Sequence, residues 1–164
     1  HKIRRCTMEK LFKSTRGNQT PIDFYTSILQ GIASDGGLLV PDFDFEKKNL
    51  EELLSLNYVD LATEIISTFA PSDAKEALHT ACNQAYGEGL FCDEVVPVKK
   101  AGNVYVAELY QGPTAAFKDM ALSMLPRMMT LSLKKKGEER EVMILAATSG
   151  DTGKAALELS LIHI

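Results

Sequence analysis

The run Val142-Met143-Ile144-Leu145-Ala146-Ala147 decides the fold class of this chain. It contains no polar residue and is followed at once by Thr148-Ser149-Gly150-Asp151-Thr152-Gly153, which is rich in turn and helix-capping residues. An apolar run without polar alternation is typical of a strand buried on both faces, as in a parallel sheet covered by helices. With a helix capped by Asp151 or Thr152 and continuing to Leu159, the succession of strand, turn and helix predicts an α/β fold.

Apolar residues at helical spacing predict a mainly helical region earlier in the chain. The predicted elements are a helix from Pro21 to Ile32, a short strand over Leu38–Pro41, two helices between Asn49 and Phe69, and a helix from Ser72 to Gly87. Ser72 is the expected N-cap of the last helix, because its hydroxyl can accept a hydrogen bond from a free backbone N–H.

The residues after Gly89 form β-rich runs instead of helical patterns, which predicts an internal boundary at this point. The predicted elements are a hairpin of Val95–Val98 and Val104–Leu109 around a turn at Lys100-Ala101-Gly102-Asn103, and a helix from Ala121 to Leu133 that ends at Lys134-Lys135-Lys136-Gly137.

The composition describes a folded globular protein. Of the 164 residues, 45% are hydrophobic and 24% are charged, and the net charge of -4 gives no electrostatic reason to expect nucleic acid or an anionic membrane as partner. No apolar stretch approaches the roughly 18 residues that a membrane span requires. Cys6, Cys82 and Cys92 form no CxxC pair, so the sequence predicts no disulfide framework and no metal site, and a cytoplasmic location.

Lys118 differs from the other lysines in the residues that surround it. It directly follows the apolar residues Ala115-Ala116-Phe117 within the segment Gly112–Asp119, where we expect a helix to begin. Apolar surroundings favour the neutral amine, which is the form that attacks an aldehyde. The alternative is a solvated surface lysine, because lysine is seldom buried.

The turn Thr148–Gly153 complements this lysine. It follows the predicted strand at its carboxyl end, where parallel sheets bind ligands, and its backbone N–H groups can bind an anion. Asp151 would repel an anion, so we expect it to accept a hydrogen bond from backbone amides or from a ligand hydroxyl, while Ser149 and Thr152 face the ligand's negative charge. An amine for an aldehyde and a site for an anion together predict pyridoxal phosphate as the cofactor.

Other phosphate or nucleophile motifs are missing from the sequence. It has no GxxxxGK[ST] loop, no GxGxxG and no GxSxG. The histidines, His1, His79 and His163, lie in two termini and one predicted helix, which does not favour a catalytic role.

Four segments in order resemble those of threonine synthases. Gly112–Asp119 resembles the family's cofactor-lysine motif, Ala147–Gly153 its substrate-side loop, and Ser14–Gly17 and Asp35–Pro41 the N-terminal signatures of its longer members. The resemblance covers residues 8–158. It implies a mostly helical N-terminal domain over residues 8–92 and, over residues 93–158, the start of a tryptophan-synthase-β-like (fold type II) three-layer α/β domain, while residues 1–7 and 159–164 are expected to be non-native ends.

The resemblance also implies an activity, the conversion of O-phospho-L-homoserine and water to L-threonine and phosphate. Lys118 would bond covalently to pyridoxal phosphate and later act as base and acid, and Phe117 and Asp151 would contact the cofactor. Thr148, Ser149, Gly150 and Thr152 would bind substrate. The family's phosphate loop and pyridine-nitrogen contact lie further downstream, so we expect this sequence to be an N-terminal fragment that is inactive alone.

Two alternatives stay open. One is a related pyridoxal-phosphate-dependent lyase acting on another phosphorylated amino acid, because these motifs mainly serve the cofactor and a carboxylate. The other is a catalytically silent domain that acts only through protein contacts. The sequence leaves the oligomeric state open.

Overall fold

Seven α-helices and two small antiparallel sheets make up the part of the chain that the computed structural model describes, residues 9–87, 89–92, 94–148 and 150–161. The helices are α1 Phe24–Gln30, α2 Leu50–Leu54, α3 Tyr58–Ser67, α4 Lys75–Tyr86, α5 Asp119–Leu122, α6 Leu125–Lys136 and α7 Asp151–Leu161. The strands are β1 Leu11–Ser14, β2 Ile22–Asp23, β3 Leu39–Pro41, β4 Val98–Ala101 and β5 Val104–Ala107. No helix in the described ranges is both long and apolar enough to cross a membrane.

The first sheet has the strand order β2-β1-β3 and unites the two N-terminal motifs. The Asp35 carboxylate accepts hydrogen bonds from the Ser14 hydroxyl at 2.6 Å and from the backbone N–H groups of Gly37 at 2.9 Å and Asn18 at 3.0 Å. Arg16 donates to the Asp35 carbonyl at 2.9 Å. A Cβ atom on Gly37 would lie 2.2 Å from the Ser14 hydroxyl oxygen, so a glycine is required there. These contacts give Arg16 a structural role.

The core lies between this sheet and the helices α1, α3, α4 and α6. Its buried members are Phe12, Phe24, Tyr25, Ala70, Ala74, Leu78, Ala81, Cys82, Ala85 and Met124. Leu78, Cys82 and Ala85 recur at helical spacing along α4 and are fully buried, which explains why this segment forms a helix. Because α6 packs against both α1 and α4, the segment after Lys118 is joined to the N-terminal helices.

The predicted helices before residue 88 are confirmed, with one correction at Ser72. Ser72 is not an N-cap: Ser72–Ala74 forms a 3-10 turn without a side-chain cap, and α4 begins at Lys75. Pro71 precedes this turn and its ring fixes the backbone φ angle there, so the helix can start without a hydroxyl cap.

The predicted hairpin is confirmed, but its strands and turn are shifted. β4 begins at Val98 and contains Lys100 and Ala101, which were predicted to lie in the turn, and β5 ends at Ala107. The pairing of Ala101 with Val104 closes a two-residue turn at Gly102 and Asn103, where Gly102 has φ 61°.

The single helix predicted over 121–133 is wrong, because the structure has two helices, α5 and α6, separated at Ser123 and Met124. Pro126 lies in the first turn of α6 and has no N–H to donate to a carbonyl in α5. The predicted end is confirmed, since Gly137 terminates α6 in the left-handed conformation after three lysines.

The predicted buried strand at 142–147 is also wrong. These residues have no regular secondary structure, and Met143 and Leu145 are 82% and 87% exposed. A parallel strand needs a neighbouring strand to bind its backbone groups, and none of the described strands lies beside this run.

The mixed α/β class is confirmed, but both sheets of the described residues are antiparallel. The division into residues 8–92 and 93–158 stays a prediction.

Asp23 joins the start of α1 to the end of α6. Its carboxylate accepts hydrogen bonds from the backbone N–H groups of Tyr25 and Thr26, from the Thr26 hydroxyl at 2.6 Å and from Lys136 Nζ at 2.6 Å. Burial raises the pKa of Asp23, but the hydrogen bonds from Lys136 and Thr26 outweigh it and lower this pKa to about 2.

We expect Asp23→Ala to lower the free energy of unfolding by about 1 to 2 kcal/mol at neutral pH, since it removes a helix cap and an ion pair. The folded-state pKa of about 2 lies below the ordinary value of 3.8, so this contribution is fully present above about pH 4 and is lost as the pH falls towards 2. Denaturant unfolding of both proteins at stepwise lower pH measures the difference. A difference that stays constant over this range would contradict the prediction.

Candidate functional site

The segment that precedes α5, residues 112–119, is closed by one buried carboxylate. Asp119 is fully buried, and its two oxygens accept hydrogen bonds from the Thr114 backbone N–H at 2.8 Å and the Thr114 hydroxyl at 2.5 Å. A Cβ atom on Gly112 would lie 2.5 Å from an oxygen of this carboxylate, so only glycine fits there. Ala115 has φ 55°, a left-handed conformation that a non-glycine residue seldom adopts. We call this contact of Thr114 with Asp119 the Asp119 clasp.

The clasp places Lys118 directly before the first residue of α5, where the sequence predicted a helix entrance. Lys118 is partly buried, and its Nζ atom lies 4.7 Å from the centroid of the Phe117 ring, which is 60% exposed. Lys10 is also partly buried, but its Nζ donates to two backbone carbonyls. Among the described residues, Lys118 is therefore the one partly buried lysine whose amine has no hydrogen-bond or ion-pair acceptor.

The loop before α7 carries the other predicted site residues. Thr148, Gly150, Asp151 and Thr152 are exposed, and Ser149 lies outside the described residues. The Thr148 hydroxyl donates to the Gly150 carbonyl at 3.3 Å, and a Cβ atom on Gly153 would lie 2.5 Å from that hydroxyl oxygen.

Asp151 and Thr152 form the first turn of α7 rather than a flanking cap. At this position the carboxylate of Asp151 interacts favourably with the positive end of the helix dipole. The backbone N–H groups of this turn have no partner within the helix and can bind an acceptor atom of a ligand.

The two parts of the predicted site, Lys118 and the loop before α7, are brought near each other because the helices that follow them are in contact. α7 packs against α5, and Ala155 and Leu159 of α7 are fully buried. Among the described residues, no hydrogen bond joins Lys118 to this loop.

Sequence reasoning missed the clasp. Thr114 and Asp119 were part of the segment that contains Lys118, but the prediction gave neither a role. The signal was present, because a hydroxyl residue after Gly-Pro and an aspartate at the start of a helix are both typical of side chains that bind free backbone N–H groups.

Comparison with known proteins assigns the family. Residues 11–86 match the family described as the threonine synthase N terminus. The chain is 42% identical to the threonine synthase of Pseudomonas aeruginosa over 151 residues. This alignment covers 88% of this chain and 31% of that protein. The chain belongs to the threonine synthase family. The predicted resemblance is thereby confirmed.

Other members of the threonine synthase family are similar to a comparable degree. Human threonine synthase-like 1 is 38% identical over 140 residues, which is 82% of this chain and 18% of that protein. A crystal structure of pyridoxal-phosphate-bound threonine synthase from Brucella melitensis superposes with a TM-score of 0.81 at 34% identity, covering 92% of this chain and 33% of that one. The chain thus spans about a third of the length of the threonine synthases it matches.

Proposed function

We propose that this chain is the N-terminal part of a threonine synthase, which uses pyridoxal phosphate to convert O-phospho-L-homoserine and water to L-threonine and phosphate. The observation that carries the proposal is Lys118, a partly buried amine without an acceptor, fixed by the Asp119 clasp at the start of α5. A lysine paired with a carboxylate would have to break that pair before it could react, and Lys118 has no such pair among the described residues.

The residues around Lys118 fit a cofactor that carries an aldehyde. When bound, pyridoxal phosphate supplies an electron sink that stabilises negative charge on the substrate carbon. Lys118 would hold the aldehyde carbon through Nζ, with loss of water, and once the substrate amine has displaced it the freed amine would take and return protons as base and acid. The exposed ring of Phe117 offers an apolar surface beside the amine, and the clasp keeps the amine in one orientation.

The loop before α7 has a separate role in this proposal. Asp151 accepts a hydrogen bond from the cofactor's ring hydroxyl, since a carboxylate next to an anion would be repelled. Thr148, Ser149, Gly150 and Thr152 bind the substrate carboxylate. The exposure of the described members of this set, and their place at the N-terminus of α7, support this role.

We also infer a cytoplasmic location. Cys82 and Cys92 are both unpaired, and an exposed free thiol such as that of Cys92 is typical of a reducing compartment. A thiol-reactive reagent that reports Cys92 as reduced in intact cells supports this location, and an oxidised Cys92 argues against it.

The function is tested with the whole enzyme, of the length its relatives have, loaded with pyridoxal phosphate. We expect O-phospho-L-homoserine to release phosphate and L-threonine in equal amounts. Absence of both products from a fully loaded enzyme would rule out the proposal.

The same assay separates a second candidate, a related lyase acting on phosphorylated amino acids. The 38% identity with human threonine synthase-like 1, close to that with the bacterial enzyme, keeps this candidate open. Release of phosphate with a carbon product other than threonine would favour it.

A further inference from the structure

Where α5 ends, side chains bind two of the backbone carbonyls that lack a backbone donor, those of Met120 and Ser123. In the described residues no backbone N–H donates to the carbonyl oxygens of Met120 or Ser123. The Tyr86 hydroxyl donates to the Met120 carbonyl at 2.8 Å, and Arg127 Nη1 donates to the Ser123 carbonyl. The carbonyls of Met120 and Ser123 are therefore satisfied by side chains, one from α4 and one from α6.

Arg127 also connects this break to the end of α4. Its Nη2 donates at 2.9 Å to the carbonyl of Gln84, in the last turn of α4, where carbonyls lack partners within the helix and a cation is favoured by the helix dipole. Tyr86 is the last residue of α4. Tyr86 thus joins the C-terminal end of α4 to α5, and Arg127, from α6, joins it to Ser123, the residue directly after α5.

The buried position of Arg127 is energetically unfavourable, because its charge is removed from water. Its side chain is 8% exposed, and no carboxylate of the described residues lies within ion-pair distance. Its Nε atom and the nearby Ser123 hydroxyl are buried without a hydrogen-bond partner. Burial lowers the pKa of Arg127. A buried cation that is bound only by carbonyls contributes little to the stability of the fold, since an apolar residue of similar size would avoid the desolvation cost.

We propose that Tyr86 and Arg127 form a polar clamp that fixes α5, and with it Lys118, against the end of α4. The proposal rests on the function proposed for Lys118. α5 spans Asp119–Leu122, about 6 Å at 1.5 Å per residue, and it is held by the Asp119 clasp at its start and by the polar clamp at its end. Tyr86 and Arg127 are positioning residues, because both act on Lys118 through the backbone of α5.

The clamp gives the N-terminal region a part in the reaction. Gln84 and Tyr86 lie within residues 11–86, which match the threonine synthase N terminus, whereas Lys118 lies outside that range. The helices before residue 88 would therefore contribute to the position of the reacting amine as well as to the fold.

Tyr86→Phe is the main test, because it removes one oxygen atom and keeps the ring. In the whole enzyme loaded with pyridoxal phosphate we expect kcat to fall about tenfold with KM within about threefold, since a small displacement of a reacting group slows the reaction more than it weakens binding. Arg127→Lys, which keeps the charge but not the forked geometry, should give the same pattern. Tyr105→Phe and Arg140→Lys are matched controls, because both residues are exposed and lie outside the clamp.

Two readouts do not depend on turnover. Amide hydrogen exchange over residues 119–124, measured without cofactor, should be about tenfold faster in Tyr86→Phe than in Tyr105→Phe, because the end of α5 opens more often. Borohydride reduction, which makes the bond between cofactor and lysine permanent, should label Lys118 more slowly in both clamp variants.

The outcomes separate this inference from the proposed function. Unchanged exchange, labelling and kcat in Tyr86→Phe and Arg127→Lys would overturn the clamp. A lower melting temperature with unchanged labelling rate and kcat would mean a structural contact only, and would also overturn it. Labelling of a lysine other than Lys118 in the unmutated enzyme would refute the proposed function instead, whatever the exchange data show.

Discussion

Lys118→Ala is expected to lower the turnover of O-phospho-L-homoserine by about a thousandfold or more, because it removes the amine that we propose binds the cofactor and moves the protons. The same variant should lose the visible absorption band of the lysine-bound cofactor. Absorption spectra and phosphate release of the whole enzyme, with and without added pyridoxal phosphate, measure the two effects. Stability should change little, since the Nζ atom of Lys118 has no hydrogen-bond or ion-pair acceptor among the described residues.

Lys100→Ala is the matched control. The amine of Lys100 also lies near an aromatic ring, 6.0 Å from the centroid of Tyr105, but on the exposed hairpin of β4 and β5. This variant should retain the band and the turnover. An undiminished absorption band in Lys118→Ala would show that Lys118 does not bind the cofactor. Loss of the band in Lys100→Ala would also contradict the assignment, because it would place the cofactor lysine on the hairpin.

Asp119→Ala is expected to open the segment that carries Lys118, at a local cost of about 2 to 4 kcal/mol, because it leaves the Thr114 backbone N–H buried without an acceptor. The amide of Thr114 donates directly to the Asp119 carboxylate, so its hydrogen exchange reports the clasp. We expect this amide to lose most of its protection and the cofactor band to weaken in the same variant. Asp119→Asn, which keeps one acceptor oxygen, should have a smaller effect on both.

Asp42→Ala provides the comparison for this effect. Asp42 pairs with Lys13 at 2.6 Å on the surface, and such exposed pairs contribute less than about 1 kcal/mol. Its removal should leave both the Thr114 amide and the cofactor band unchanged. Full protection of the Thr114 amide in Asp119→Ala would show that the clasp does not hold this segment.

The features predicted correctly from the sequence are those that depend on local patterns. The helices before residue 88 follow the spacing of their apolar residues, and the end of α6 follows from three lysines and Gly137. The break between α5 and α6 was local too, since Pro126 marks it, but the apolar periodicity on both sides of the proline outweighed that signal in the prediction.

The features that were missed depend on partners distant in the sequence. An apolar run such as Val142–Ala147 can form a parallel strand only beside another strand, and the pattern of the run itself carries no information about that neighbour. Arg127 binds a carbonyl 43 residues earlier in the chain, and nothing near Arg127 indicates that contact. The place of Lys118 before a helix was predictable, whereas the contacts that fix it became visible only in three dimensions.

The exposed run at residues 142–147 also affects how the chain behaves in solution. Six consecutive apolar residues without proline, glycine or charge can pair edge to edge with the same run of another copy. Glu141 and Asp151 on either side are the nearest acidic residues that could discourage such stacking through charge repulsion. For a chain handled by itself, we therefore expect aggregation to decrease when this stretch is covered.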